Sequence, residues 1–213
     1  MTEQIKAGDF IELDYTAKLA NTDAVFDTTI ESDAKKHNIH NKDVKYKPLV
    51  IKVGSGHLVP GLDKFLVDKT PGNYTVELTS ENAFGKKNAK LLRLISINEF
   101  HKNEIRPMPG LEVELDGNRG VVRTVSGGRV IVDFNHPLSS QDVTYDISIK
   151  GIVTEPNLKV EAALEIFKLP FEKVTTDNDK VIVQFKTAIP PEITETLLTE
   201  LKKITNVENI EFK

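Results

Sequence analysis

The glycine-rich segment VGSGHLVPGLDKFL, residues 53–66, has the residue types of a loop that could bind an anion. Glycines occur at positions 54, 56 and 61, and the apolar residues around the last of them predict a short helix. Loops that lead into a helix often bind phosphate. A phosphate loop also needs Lys-Ser or Lys-Thr after its last glycine, and a dinucleotide site needs flanking parallel βαβ units. Neither is present here, and Leu58, Val59 and Leu62 form an apolar rim that disfavours a desolvated charge. The segment therefore favours an apolar ligand over an anion.

Metal ligation would depend on histidines, because the chain has no cysteine. His37 and His40 are three residues apart and could share one face of a helix, but residues 31–45 are polar and predict a solvated loop or a ragged helix. A structural zinc site usually has four ligands with recognisable spacing. Solvated histidines explain the pattern better, and we expect neither a metal nor a cofactor.

Covalent catalysis has no candidate nucleophile in the sequence. Ser55 in GSGH does not lie in the G-x-S-x-G pattern of a nucleophile elbow, and no partner base can be assigned to it. Without cysteine there is also no thiolate chemistry. A hydrolase is therefore not predicted.

Alternating apolar residues precede and follow the glycine loop, which predicts that strands on both sides hold it in place. FIELDYTAKL, residues 10–19, places Ile11, Leu13 and Tyr15 on one face of a strand. YKPLVIKV predicts a strand that leads into the loop, and DKTPGNYTVELTS predicts a turn followed by another strand. Pro60 suits the first turn of a short helix over residues 59–66.

The sequence pattern changes after residue 86 to short strands joined by turns, which predicts an inserted domain. LEVELDGNRGVVRTVSGGRVIVDF contains three short strands joined by the turn sequences DGNRG and SGG, which indicates a small β-meander. VTYDISIKGIV, residues 143–153, alternates again and is typical of a strand returning to the first sheet. We expect a host domain formed by residues 1–86 and 138–154, with an insert at residues 87–137.

A third module is expected at residues 157–213, after the linker Glu155-Pro156-Asn157. Its segments predict a helix, two strands, a second helix beginning at Pro191 and a last strand. This α-β-β-α-β order is typical of a small, separate α+β module.

Composition excludes several classes of function. The chain of 213 residues is 39% hydrophobic and 28% charged, which is ordinary for a globular protein. Its net charge of −4 gives no basic footprint for nucleic acid, and no apolar run approaches membrane-spanning length. We expect a cytoplasmic protein that binds neither nucleic acid nor a membrane.

The order of several segments resembles a known family. DYTAKL, VFDTT and KPLVIKVGSGHLVPGLDKFLVDKTPGNYTVELTSENAFG are similar to the FKBP-type peptidyl-prolyl cis/trans isomerases, over residues 8–85 and again over 138–153. VDFNHPLSSQDVTYDISI, which closes the meander, resembles the SlyD-like branch, whose members carry an insert-in-flap chaperone domain. The additional C-terminal module resembles the long archaeal form of that branch.

The resemblance implies an α+β fold, an FKBP-type antiparallel β-sheet wrapped on a short helix, with the inserted β domain and the C-terminal module added. It implies rotation about Xaa-Pro bonds as the activity, and Xaa-Pro peptides and unfolded or partially folded polypeptides as partners. The implied site lines a proline pocket, with a carboxylate at its edge and the Val59 N–H holding a substrate carbonyl. Its residues are Tyr15, Phe26, Asp27, Leu49, Leu58, Val59, Leu62, Phe84 and Tyr145.

Several roles in this implied site have alternatives. Each apolar member could be an ordinary core residue, and Asp27 could cap the turn FDTT instead of lying at the pocket edge. Many family members have tryptophan in place of Leu62 and tyrosine in place of Phe84, so this pocket has a smaller aromatic floor and one hydroxyl fewer.

The insert is expected to expose an apolar surface, because a three-stranded meander cannot bury both faces. The alternating residues that would form it are Leu111, Val113, Val121, Val125, Val130, Val132 and Phe134. In the resembling branch such a surface binds unfolded chains. The alternative is that this face packs on a helix of the insert itself, formed by SINEFHKN.

The sequence is compatible with three functional hypotheses. The first is an isomerase with a built-in chaperone domain, and the second is a catalytically weak holdase on the same fold. In the third, the C-terminal module is the main functional part, as a unit for homodimerisation or ribosome docking.

Overall fold

The computed structural model describes residues 3–187 and 189–213, with the backbone alone for Pro191. Its contacts divide the chain into two units, Met1–Leu78 together with Val143–Lys213, and Thr79–Asp142. The predicted insert, residues 87–137, lies inside the second unit, while its exact boundaries stay a prediction. Within the described ranges, no helix is long and apolar enough to cross a membrane.

The chain forms twelve strands within the described residues. In chain order they are β1 (Phe10–Leu19), β2 (Val25–Thr28), β3 (Leu49–Lys52), β4 (Gly72–Leu78), β5 (Leu92–Ser96), β6 (Glu112–Leu115), β7 (Asn118–Ser126), β8 (Arg129–Asp133), β9 (Val143–Ile152), β10 (Phe171–Asp177), β11 (Lys180–Phe185) and β12 (Ile210–Phe212). The α-helices are α1 (Glu31–Lys36), α2 (Pro60–Leu66), α3 (Ile97–Lys102), α4 (Pro156–Ile166) and α5 (Pro191–Thr205), and short 3-10 helices lie at Ser80–Asn82 and Ala89–Leu91.

The first unit is built on a five-stranded antiparallel sheet in the order β2-β1-β9-β4, with β3 also paired to β1. As predicted, β9 returns after the second unit and pairs with both β1 and β4. Ile11, Leu13 and Ala17 alternate along β1 and are buried, as are Tyr145 and Ile147 on β9. Because strand side chains alternate between faces, these residues define one inner face of the sheet.

Helix α2 packs on this inner face. Pro60 occupies its first turn, as the sequence predicts, because the missing N–H of proline costs nothing at that position. Leu62 and Leu66 are buried, and the Phe65 ring meets the Tyr74 ring of β4 edge to face at a centroid distance of 5.8 Å. The helix is thereby held against the sheet by apolar contacts.

A β-bulge interrupts the pairing of β1 with β2. Ala17 pairs with Asp27 but the next residue, Lys18, pairs with Val25, so Phe26 is the extra residue of the bulge. A bulge redirects the side chains of its strand. Phe26 and Asp27 are adjacent in sequence, yet both contact tyrosines of the inner face.

The second unit contains a four-stranded antiparallel sheet in the order β5-β8-β7-β6. It has one strand more than the predicted meander, because β5 adds to the edge of β8. One face of this sheet packs on Phe100 of α3, which is fully buried. At Gly120 a Cβ would lie 2.8 Å from side-chain atoms of Val132 and Phe134, so only glycine fits this tightly packed position.

The exposed surface predicted for the insert is wrong at three residues. Val113, Val130 and Val132 are at most 7% exposed and form the core of the unit with Phe100 and Val122. Alternation reveals two faces of a sheet but not which face is covered. Helix α3, formed within the segment SINEFHKN, covers the face that carries these valines, in agreement with the alternative interpretation of the sequence.

Three of the other four predicted surface residues of the insert also lie at this core. Leu111, Val125 and Phe134 are partly buried and pack against it, and Val121 is half-buried. Exposed apolar side chains occur elsewhere in the unit, namely Leu92, Leu94, Met108 and Ile131.

The C-terminal module has the predicted α-β-β-α-β order. Its sheet has the order β10-β11-β12, and β12 runs parallel to β11. Helices α4 and α5 supply buried residues such as Leu164 and Leu201 to a core shared with Val181 and Val183 of β11. Pro156, expected in a linker, begins α4.

Candidate functional site

The side chains of Tyr15 and Asp27 form a hydrogen bond at the inner face of the main sheet. The Tyr15 hydroxyl donates to the Asp27 carboxylate at 2.6 Å. Burial, followed by this hydrogen bond, raises the pKa of Tyr15 far above its usual range, so the hydroxyl stays protonated. The hydrogen bond of Asp27 is therefore made to Tyr15 and not to a backbone N–H of the turn FDTT. The Thr28 hydroxyl caps that turn instead, because it accepts from the Ile30 N–H at 3.1 Å.

Tyr145 contacts both of the other aromatic residues of the cluster. Its ring centroid is 5.9 Å from that of Tyr15 and 6.4 Å from that of Phe26, which it meets edge to face. Burial, with the nearby charge of Asp27, raises the pKa of Tyr145 to about 12. The three rings therefore form an uncharged aromatic wall with a single carboxylate at its edge.

Leu62 and Leu49 add aliphatic surface to the inner face. Leu62 lies in α2 and is 2% exposed, so its side chain is almost completely covered, and its role as the pocket floor stays a prediction. Leu49 is half-buried on β3 and pairs with Leu13 of β1. Since paired residues share a face and alternate residues on a strand do too, Leu49, Leu13 and Tyr15 lie on the same side of the sheet.

The start of α2 presents a backbone donor. Val59 is the N-cap residue, and its carbonyl accepts from the N–H groups of Leu62 and Asp63 at 3.0 and 3.1 Å. Within residues 3–187 and 189–213, no protein group accepts from the Val59 N–H. Leu58 and Val59 are both half-buried. A helix N-terminus with an available donor can bind a carbonyl oxygen.

Asp63 is the residue of this site that sequence reasoning missed. Its carboxylate accepts from the N–H groups of Gly54 at 2.7 Å and Gly56 at 3.0 Å, although the side chain is buried. Both glycines have positive φ, +80° and +71°, a conformation that other residues rarely adopt. The glycine loop does bind an anion, and that anion is the carboxylate of its own helix. An acidic residue in an apolar helix directly after the glycines was the available signal.

Phe84 belongs to the second unit, unlike the other predicted site residues. There its ring stacks on the His136 imidazole, with centroids 4.8 Å apart and planes 3° from parallel. The Ser139 hydroxyl donates to the Phe84 carbonyl at 3.4 Å. A role for Phe84 in the pocket stays a prediction.

The histidines considered as metal ligands have other surroundings. His40 stacks on Tyr46 at 5.3 Å, and its Nε2 lies 3.4 Å from Glu31, so it is less solvated than predicted. Among the residues that the structure describes, no group of three or more histidine, aspartate or glutamate side chains could hold a metal ion.

The inner-face site brings together Tyr15, Phe26, Asp27 and Tyr145 through direct contacts. Aromatic rings and leucines can bind an apolar ring, and the Val59 N–H can hold one carbonyl. The two tyrosine hydroxyls keep their protons at neutral pH. The arrangement suits binding and desolvation rather than proton transfer.

Family models match two parts of the chain. The model described as "FKBP-type peptidyl-prolyl cis-trans isomerase" matches residues 1–99, which include most of the inner-face site. The model described as "FKBP26, IF domain" matches residues 93–138, which lie in the second unit.

Curated relatives agree with these matches. A short-type peptidyl-prolyl cis-trans isomerase of Methanocaldococcus jannaschii is 27% identical over 153 residues, 71% of this chain and 96% of the relative. A probable FKBP-type 16 kDa peptidyl-prolyl cis-trans isomerase of Pseudomonas fluorescens is 32% identical over 108 residues, 48% of this chain and 71% of the relative. An FKBP-type 16 kDa peptidyl-prolyl cis-trans isomerase of Escherichia coli is 29% identical over 171 residues, 78% of this chain and 99% of the relative.

Proposed function

Because the chain belongs to the FKBP-type peptidyl-prolyl cis-trans isomerases, we propose that the inner-face site catalyses rotation about Xaa-Pro bonds in polypeptides. The observation that carries this proposal is the contact of Tyr145 with both Tyr15 and Phe26 on the inner face of the sheet. These residues offer an apolar, uncharged surface on which a proline ring can pack. Leu49, Leu58 and Val59 extend it toward the start of α2.

The chemistry needs no acid, base or metal, because no covalent bond is broken. Rotation about an Xaa-Pro bond has a barrier of about 18–20 kcal/mol and takes about 10–100 s without a catalyst. The planar imide is polar through resonance, and the twisted transition state has lost much of that charge separation. A pocket with little water disfavours the planar form relative to the twisted one, and each ~1.4 kcal/mol of this difference accelerates rotation about tenfold.

Polar groups at the pocket orient the substrate. The Val59 N–H donates to a carbonyl of the bound peptide and fixes it at the start of α2. Asp27 accepts from Tyr15, which fixes the orientation of that ring and leaves a carboxylate at the pocket edge. In this role Asp27 contacts the substrate region without transferring a proton.

Substitution of Tyr145 tests the assignment of the pocket. Tyr145→Ala removes the ring that contacts both Tyr15 and Phe26. Exchange NMR on a proline-containing tetrapeptide should show a rate at least about tenfold lower for this variant, which corresponds to a loss of about 1.4 kcal/mol of transition-state stabilisation. Tyr145→Phe, which keeps the ring and removes only the hydroxyl, is the matched control and should stay near the parent rate. Full activity of a correctly folded Tyr145→Ala variant would exclude this site.

A chaperone activity of the inserted domain, residues 87–137, is the second proposed function. It is supported by exposed apolar residues on the face of the insert sheet that α3 does not cover. Leu94 and Ile131 are paired neighbours on β5 and β8, 59% and 36% exposed, and Leu92 is 44% exposed. Strand β5 is also an edge strand of that sheet. An exposed apolar edge can bind an extended, unfolded polypeptide.

The alternative function on this fold is a holdase with weak catalysis, and the departures at Leu62 and Phe84 favour it. Exchange NMR on a short peptide separates the two, because a holdase suppresses aggregation without accelerating exchange. Homodimerisation through the C-terminal module and a cytoplasmic location stay predictions from the sequence.

A further inference from the structure

Within the first unit, the C-terminal module contacts the main sheet at β3, the short strand that carries Leu49. Strand β3 has four residues, and among the described strands it pairs only with β1. The pairing runs from Phe10 opposite Lys52 to Leu13 opposite Leu49. A short strand with a single neighbour is weakly held by its backbone hydrogen bonds alone.

The two faces of β3 have different partners. Ile51 is buried on the inner face of the sheet together with Leu49, while Val50 and Lys52 point to the outer face. On the outer face Val50 packs against a cluster formed by Phe10, Val153 and Ala162. The inner face therefore belongs to the proposed pocket, and the outer face belongs to the contact with the module.

This contact is an apolar seam. Phe10, Val153 and Ala162 are 3%, 6% and 2% exposed, and Ile204 of α5 packs against them. Ala162 lies in α4, so both helices of the module reach the seam. Without the module, the apolar side chains of Phe10, Val50 and Val153 would be open to water, which favours the docked arrangement.

Two lysines flank the seam at the two ends of β3. Lys47 Nζ lies 2.6 Å from Glu165 and 3.2 Å from Glu161, which are four residues apart on the same face of α4. Lys52 Nζ donates to the Ile204 carbonyl at 2.8 Å, in the last turn of α5, where the helix dipole favours a cation. Burial acts to lower the pKa of Lys47, but its bonds to Glu165 and Glu161 outweigh burial and raise that pKa.

We propose that the C-terminal module is a brace that fixes β3 and thereby positions Leu49 for substrate binding. Ala162, Lys47 and Lys52 are positioning residues, because they contact β3 or its flanks and not the substrate. This proposal rests on the proposed isomerase function. It gives the module a part in the reaction that a tethered accessory domain would not have.

The brace should act on binding and not on the chemical step. We expect Leu49 to contact the bound peptide in its planar and its twisted forms alike. Loss of an interaction that is equal in both states raises KM and leaves kcat unchanged. A general loss of folded protein would instead lower the apparent kcat.

The first test is full-length Ala162→Arg, which places a charge in the seam. The expected result is a KM for a proline tetrapeptide at least about threefold higher with kcat unchanged, and faster amide hydrogen exchange at Val50–Lys52. Glu200→Arg, which introduces the same residue at an exposed position of α5, is the matched control and should change neither quantity.

Since Ala162→Arg could unfold the module, Lys47→Met with Lys52→Met provides a second test that leaves the core of the module intact. This double variant should also raise KM and speed amide exchange in β3, by smaller factors than Ala162→Arg. Faster exchange in β3 with unchanged KM in both variants would overturn the proposal, as would unchanged exchange in both. If the parent protein shows no isomerisation at all, the proposed function fails, while the exchange data still report whether the module holds β3.

Discussion

The Asp63 carboxylate accepts a hydrogen bond from the Gly54 N–H at 2.7 Å, which ties helix α2 to the loop that precedes it. A second bond, from the Gly56 N–H at 3.0 Å, completes this internal anion site. Val59, whose N–H is the proposed substrate donor, lies between the glycines and Asp63 in the chain. The loop is therefore fixed at both ends of the segment that positions this donor.

Asp63→Ala should destabilise the loop and lower activity together. Removing the carboxylate removes two hydrogen bonds to a charged acceptor, which costs about 1–3 kcal/mol of the free energy of unfolding, toward the lower end because the two glycines are exposed to water. The misplaced Val59 N–H should lower kcat/KM for a proline peptide. Lys64→Ala, at the neighbouring exposed position of α2, should change neither. Chemical unfolding and peptide exchange NMR check this, and an Asp63→Ala variant with parental stability would contradict it.

Asp27 and Tyr15 should be coupled in catalysis. We expect Asp27→Ala and Tyr15→Phe each to lower the rate of peptide isomerisation, with a double variant no slower than the slower single variant. The reason is that both substitutions remove the same 2.6 Å hydrogen bond. A double-mutant cycle on kcat/KM measures the coupling. Independent, multiplying effects would show that the bond has no part in substrate orientation.

Asp133 should make the second unit sensitive to acid. Burial acts to raise its pKa, but hydrogen bonds from Asn135 and contacts with Lys87 and Arg123 outweigh burial and lower the pKa from 3.8 to about 2. A depressed pKa contributes stability above the unfolded-state value, and this contribution is lost as pH falls from about 4 to about 2.

Asp133→Asn should therefore lower the free energy of unfolding of this unit by about 2 kcal/mol at pH 7. The difference from the parent should vanish near pH 2. Asp116→Asn, at an exposed carboxylate of the same unit, is the control. Unfolding curves from pH 7 to pH 2 provide the measurement, and a difference that does not depend on pH would contradict the assignment.

Deleting the insert should separate peptide catalysis from protein folding. Ser140 N–H donates to the Gly85 carbonyl at 2.8 Å, so a short loop can join the chain segments that enter and leave the insert. Isomerisation of a tetrapeptide should stay nearly unchanged. Proline-limited refolding of a whole protein should slow sharply, since bound chains no longer raise the local concentration of prolines.

Suppression of aggregation should also be lost on this deletion. Leu94→Ser with Ile131→Ser, which removes exposed apolar area without deleting the domain, should give the same result in smaller measure. Refolding rates equal to those of the parent in both variants would show that the insert has only a structural role.

Local pattern was sufficient to predict the elements around the pocket. Alternation in residues 10–19 and 143–153 predicted the two central strands, and Pro60 predicted the start of α2. These features depend on neighbours in the chain and on which face is apolar. The α-β-β-α-β order of the last module followed from the same signals.

Features that depend on tertiary contacts could not be predicted in this way. The bulge at Phe26 depends on the register of two strands, which no single segment specifies. Val130 and Val132 alternate as an exposed strand would, and only the packing of Phe100 shows that they are buried. The bonds from the glycine loop to Asp63 join groups seven and nine residues apart, after the loop has turned.

The cis/trans exchange rate of a proline tetrapeptide, measured by exchange NMR with the full-length protein in the presence of a chelator, tests the central claim most directly. The aromatic wall of Tyr15, Phe26 and Tyr145 should bring exchange well below the uncatalysed time of about 10–100 s, and added zinc or nickel should not increase the rate. Exchange at the spontaneous rate, or exchange that returns only with added metal, would contradict the account.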